Sequence, residues 1–139
     1  MAMERPTSNS VEARWESGYR AVVKARDFEL IVDEPEWAEG TDTGPMPTEY
    51  LLASLASCFA LSLGFAARKR NIDIGPFDLH VVGHYDGPSF QNFEIHVKLE
   101  RPAPDNIDVL LAHAKRVCYV SNTLARTPDI AIVLEEKAR

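Results

Sequence analysis

GPMPTEYLLASLASC, running from Gly44 to Cys58, sets the reading of the whole chain. Gly44-Pro45 marks a turn, and Pro47 suits the first position of a helix, where a missing N–H costs nothing. The helix that follows carries no charge from Tyr50 to Ala67 and is closed by Arg68-Lys69-Arg70. A helix apolar on all sides must be covered by the rest of the protein or by a partner chain. Cys58 is therefore expected near the centre of a packed region, as an inert core thiol or as a working one.

Working toward the N-terminus, Asp33 to Met46 is a loop punctuated by Pro35, Gly40, Gly44 and Pro45. Phe28 to Val32 reads as a short strand. Val11 to Trp15 and Tyr19 to Lys24 read as a hairpin around Ser17-Gly18, rich in aromatic and β-branched residues. Toward the C-terminus, Ile72 to Tyr85 and Phe90 to Leu99 predict a long hairpin around Asp86-Gly87-Pro88-Ser89. In its second arm Phe93, Ile95, Val97 and Leu99 alternate with Glu94, His96, Lys98 and Glu100, so one face is buried and one is wet.

Arg101-Pro102-Ala103-Pro104 ends that strand, and Asp105 with Asp108 signals a new helix. Ile107, Leu110, Leu111, Ala114 and Cys118 share one stripe of it. Pro128 opens a last expected strand, Ile130 to Leu134. The order βββ-α-ββ-α-β predicts an α+β domain, an antiparallel sheet packed on two helices. Residues 1–10 are polar and expected to be flexible, and residues 11–139 are expected to form a single domain.

At 139 residues the chain can bury about two-thirds of its unfolded surface. Its net charge of −6 argues against nucleic acid or an anionic membrane as partner, because both select basic patches. The uncharged helix approaches the length of a membrane span, about 20 residues. Ser54, Ser57, Ser62 and Gly64 dilute it, and the strand-rich remainder favours a domain that does not enter a membrane. The N-terminus lacks the apolar core of a signal peptide, so a cytoplasmic location is expected. Two cysteines in that setting read as thiols rather than a structural disulfide.

On a 3.6-residue helix the neighbours of Cys58 are Ser54, Leu55, Leu61 and Ser62, with Leu51 and Phe65 a turn further out. Cys118 shares its face with Leu111 and Ala114, and Lys115, Ser121 and Asn122 lie close by. Free cysteine is commonly a small buried hydrophobe without chemistry. Leu51, Ser54, Leu55 and Ser62 around a working thiol would instead form the wall of a pocket for a small apolar substrate.

GPxPTExLLAxLxxC, followed by a helix ending in Cys118 and the run Val120-Ser121-Asn122-Thr123-Leu124, resembles the OsmC/Ohr family of small thiol-dependent hydroperoxide reductases. The resemblance spans roughly Val11 to Leu134. It implies the OsmC-like fold, with two chains intertwined around their central helices as a homodimer. It also implies Cys58 as the peroxidatic thiol, Cys118 as the resolving one, a small organic hydroperoxide as substrate, a dithiol as reductant and no cofactor. Peroxidases of the family use an arginine from the loop before the helix and a glutamate in its first turn.

Here the chain departs from the family. Thr48 stands ten positions before Cys58, where the glutamate is expected; Glu49 lies nine before, on the opposite side of the helix. The loop from Asp33 to Met46 has no arginine or lysine. It carries Asp33, Glu34, Glu36, Glu39 and Asp42, an acidic run read as solvated, which would raise a thiol pKa rather than lower it. Tyr119 stands where a proline often follows the second cysteine. A replacement cation could come from Arg14, Arg20, Lys24 or Arg26, with Arg20 the first choice as the thiolate-stabilising group. The competing expectation is a dimer without peroxidase activity that holds a small hydrophobic ligand or a partner.

His80, His84 and His96 fall on the two arms of the long hairpin and are expected to be exposed rather than metal ligands. His113 is expected on a helix surface. No Gly-x-Ser-x-Gly elbow, phosphate loop or dinucleotide fingerprint is present.

Overall fold

The computed structural model describes residues 4–136. Of the N-terminal segment expected to be flexible, Met1 to Met3 lie outside the described residues; residues 4–10 are exposed and lack helix or strand. The chain divides into two compact units, one up to Leu51 and one from Leu52 onward.

The first unit is an antiparallel sheet in the order β1 (Glu12–Ser17), β2 (Arg20–Ala25), β3 (Phe28–Val32). Gly18, with φ of 51°, occupies the first position of the two-residue turn between β1 and β2, which a side chain would disfavour. Among its described residues Asp33 alone is buried; Trp15, Tyr19, Phe28 and Trp37 are all more than half exposed. The loop after β3 includes a single 3-10 turn, Glu36–Ala38. Gly40 packs so tightly on the Glu34 carbonyl that a Cβ there would overlap it.

α1 (Pro47–Lys69) starts at the proline as the sequence predicts. The Glu49 carboxylate reaches back to the Met46 N–H at 2.9 Å, half of a capping box. At the other end the Asn71 N–H bonds the Arg68 carbonyl and the Ile72 N–H bonds the Ala67 carbonyl, both at 3.0 Å, with Asn71 at φ 54°. This Schellman arrangement satisfies the last carbonyls, and Arg68 and Lys69 complement the helix dipole.

In the second unit β4 (Phe77–Asp86) and β5 (Ser89–Leu99) pair around Gly87-Pro88. Their register aligns Phe77, Leu79 and Val81 with Leu99, Val97 and Ile95 on one face, and Asp78 and His80 with Lys98 and His96 on the other. Phe77, Leu79, Ile95 and Val97 back onto a core of Phe59, Leu63, Ala66, Ala67, Ile74, Leu110, Ala114 and Cys118. The alternation thus does as expected: β5 sets one face against α1 and α2 (Ile107–Val117) and leaves the other wet.

α1 is long and apolar enough to cross a membrane by length and composition, yet Leu55, Phe59, Leu63, Ala66 and Ala67 are buried within the chain. Leu51, Leu61 and Phe65 remain uncovered on its other side.

Three expectations need correction. Ile130 to Leu134 is not a strand among the described residues; Ile130, Ile132, Val133 and Leu134 are at least three-quarters exposed. Strand propensity needs a sheet edge to bond, and none is paired with this segment. Asp33 is not solvated but 1% exposed. His113 is not on the surface: it sits three residues after Leu110 on the buried side of α2 and accepts a 2.6 Å hydrogen bond at Nδ1 from Arg70.

Candidate active site

Cys58 is half-buried in the fourth turn of α1, too far from the helix start for the dipole to act on it. Cys118 is fully buried at the break between α2 and a short α3 (Tyr119–Leu124), where its backbone is extended. The sequence predicts a helix ending at Cys118 but not the new helix immediately after it. That break frees the Val120 and Ser121 N–H groups from helical bonding and turns them toward the Cys118 sulfur.

The two thiols meet. The Cys118 sulfur accepts hydrogen bonds from the Cys58 thiol, the Ser121 hydroxyl and the two N–H groups. Burial pushes the Cys118 thiol up; the hydrogen bonds, led by Ser121, outweigh it and hold the thiol below its ordinary value. The Ser121 hydroxyl also lies 3.3 Å from the Cys118 carbonyl. Both cysteines are free.

The second unit also holds a cleft of about 560 Å³, within the range of small-molecule sites; neither cysteine lines it, but Ser121, a partner of the Cys118 sulfur, does. Leu55 and Phe59 of α1, Phe93, Ile95 and Val97 of β5, and Leu111 of α2 supply its apolar wall. Of the expected pocket residues, Leu55 lines it. Leu51 and Ser54 sit on the exposed side of α1, and the Ser62 hydroxyl turns back to the Cys58 carbonyl at 2.8 Å. The β5 contribution was legible in the alternation of Phe93, Ile95 and Val97; that these residues face a cavity was not.

In the first unit, Arg20 bonds the Glu16 carboxylate through Nε at 2.7 Å and the Thr43 hydroxyl through Nη1. Thr43 in turn donates to Asp33, which also accepts from the Thr41 hydroxyl and from the Glu34, Thr41 and Thr43 N–H groups. Those bonds, the Thr41 and Thr43 hydroxyls foremost, hold the Asp33 carboxyl far below the usual carboxylate range. The acidic loop is thus folded around its own buried anion, and Glu49 is occupied in capping α1. Arg14 and Arg26 are exposed, Arg26 over the Phe28 ring.

His80 and His96 face each other across β4 and β5, and Glu94 accepts from His84 at 3.0 Å. All four are exposed. Among the described residues no group of three or more His, Cys, Asp or Glu could hold a metal ion.

The family profile described as OsmC-like protein matches residues 40–133, which includes both cysteines and most of the second unit. An OsmC-like protein of Mycoplasma pneumoniae superposes with a TM-score of 0.76 at 19% identity, over 87% of this chain and 89% of that one. An organic hydroperoxide resistance protein OsmC of Legionella pneumophila gives 0.69 at 18%, over 87% and 91%. An organic hydroperoxide resistance protein of Elizabethkingia anophelis, crystallised with thiocyanate bound, gives 0.67 at 21%, over 86% and 89%. Among curated proteins none matches the sequence significantly. With the profile matching residues 40–133 and the fold shared over 87% of the chain, the chain belongs to the OsmC-like protein family.

Proposed function

We propose that this chain reduces organic hydroperoxides in peroxide stress defence, through a two-cysteine cycle. The observation that carries the reading is the contact between Cys58 and Cys118, with an apolar cleft lined by Leu55 and Phe59, which flank Cys58 along α1. With Cys118 as the thiolate, the Cys58 proton passes along their hydrogen bond to the Cys118 sulfur, and the Cys58 thiolate so formed attacks the outer peroxide oxygen. The S–O bond forms as the O–O bond breaks, and the alkoxide leaves as alcohol after taking a proton from solvent. Cys118 then attacks the sulfenic sulfur of Cys58 and gives up its proton to the departing hydroxide, which leaves as water. A dithiol reductant returns two electrons by exchange and reopens the disulfide.

Arg20 is the cation proposed to favour the Cys58 thiolate, its guanidinium held by Glu16 and Thr43. A homodimer is proposed as the working form. Leu51, Cys58, Leu61 and Phe65 recur at helical spacing on the open side of α1, and a second copy would cover them.

One equivalent of cumene hydroperoxide should convert the reduced protein to a Cys58–Cys118 disulfide within the chain, read by peptide mass mapping, and dithiothreitol should support repeated turnover. No consumption of peroxide, with both thiols still free, would sink this reading. A second reading then stands: a ligand-binding family member without peroxidase activity. It is favoured by Thr48 at the glutamate position and by the use of Glu49 as a cap.

A further inference from the structure

Between α2 and α3 the chain leaves helical geometry for one residue, Cys118, at ψ 107°. Had α2 continued, the Val120 N–H would bond the Arg116 carbonyl, four residues back. That N–H faces the Cys118 sulfur instead, and the Arg116 carbonyl has another donor. It accepts a 2.9 Å hydrogen bond from the side-chain amide of Asn122. The Asn122 backbone N–H in turn bonds the Cys118 carbonyl at 3.0 Å. Asn122 therefore grips the last turn of α2 with its side chain and Cys118 itself with its backbone. A last-turn carbonyl of a helix has no partner within the helix and must find one. Without the Asn122 amide, the nearest N–H able to satisfy Arg116 is that of Val120, and taking it would extend α2 past the cysteine.

We infer that Asn122 is a positioning residue for Cys118: its side-chain amide occupies the Arg116 carbonyl and so leaves the Val120 and Ser121 N–H groups to the sulfur. Asn122 does not itself bond the sulfur; it acts through the backbone of the break. Asparagine suits the task because it carries an amide donor on a short side chain. For disulfide formation the inference rests on the two-cysteine reading above, whereas the ionisation of Cys118 can be followed without it.

The test follows the ultraviolet absorbance of the thiolate against pH in the Cys58→Ser chain, where Cys118 is the only thiol. Asn122→Ala should move the Cys118 transition to higher pH. In the two-cysteine chain the same change should slow disulfide closure about two- to tenfold, the effect of one hydrogen bond. Thr123→Val is the control: it removes a 2.7 Å bond to the Tyr119 carbonyl inside α3 and leaves the break alone, so the transition should stay in place. Asn122 and Thr123 are both exposed, so neither change opens the core and both chains should fold. A transition unmoved by Asn122→Ala, or moved equally by Thr123→Val, would overturn the inference. The titration uses no peroxide. A chain that shows the Asn122 shift yet consumes no hydroperoxide would refute the two-cysteine cycle and leave the positioning role standing.

Discussion

Cys58 is a hydrogen-bonding partner of the buried Cys118 sulfur, which the Ser121 hydroxyl and the Val120 and Ser121 N–H groups also surround. The family resemblance gives Cys58 the leading chemical role. In the proposed cycle Cys118 takes the Cys58 proton before it acts as the resolving nucleophile.

Ser121→Ala should raise the Cys118 pKa toward its ordinary value and slow disulfide formation at neutral pH by about two- to tenfold, the worth of one hydrogen bond. The sign of the stability effect follows from linkage. Cys118 loses its proton at lower pH in the folded chain than in the unfolded one, so between the two values the unfolded chain binds more protons. Stability of the reduced protein should therefore rise from neutral pH toward pH about 9, the thiol's reference region. It should fall away as pH drops through the folded value. Thermal melts of wild type and Cys118→Ser compare directly: the variant's profile should be flatter.

His113 gives the opposite end of the pH range. Burial foremost, then the charges of Arg70, Arg116 and Lys69, hold its pKa below 6.5, so it stays neutral as the acceptor for Arg70. Below pH about 6.5 the unfolded chain takes up a proton that the folded chain refuses. Its contribution, complete above that pH, is lost as pH falls toward the folded value. His113→Gln should lower the melting temperature at pH 7 and also flatten the decline between pH 7 and 5. An unchanged acid decline would show that His113 does not set it.

The open side of α1 predicts assembly. If a second copy covers Leu51, Leu61 and Phe65, sedimentation at micromolar concentration should give a dimer, with an interface of about 2,000 Å² or more. Leu61→Glu, at a position 77% exposed in the single chain, should dissociate it. A folded monomer of the wild-type chain at that concentration excludes the proposed dimer.

Arg20→Ala should slow Cys58 alkylation by iodoacetamide at pH 7 and slow peroxide consumption in parallel. Arg20→Lys should recover part of both, because a charge remains while the Glu16 and Thr43 fork is lost. Arg14→Ala, at an exposed β1 position, should leave both rates near wild type. Equal effects of the Arg14 and Arg20 variants would remove Arg20 from the mechanism.

What the sequence determined by itself is the periodic and the local. Period-two alternation placed β5 and its buried face, Pro47 and the cations after Ala67 bounded α1, and the Leu110–Ala114–Cys118 stripe named the buried side of α2. The motif around Cys58 was legible for the same reason, as a run of neighbours on one helix. The tertiary structure alone decided what depends on partners distant in sequence. Asp33 looked like one more solvated acid until Thr41 and Thr43 were seen to fold back over it, and His113 looked exposed until Arg70 reached it. Ile130 to Leu134 have strand composition but pair with no sheet edge, and composition cannot report that. Cys118 acquires its donors because α2 breaks and α3 begins there, bringing Cys58 and the Val120 and Ser121 N–H groups to one sulfur. Burial and hydrogen bonding are properties of pairs, and the pairs that make this site are formed only when the chain folds.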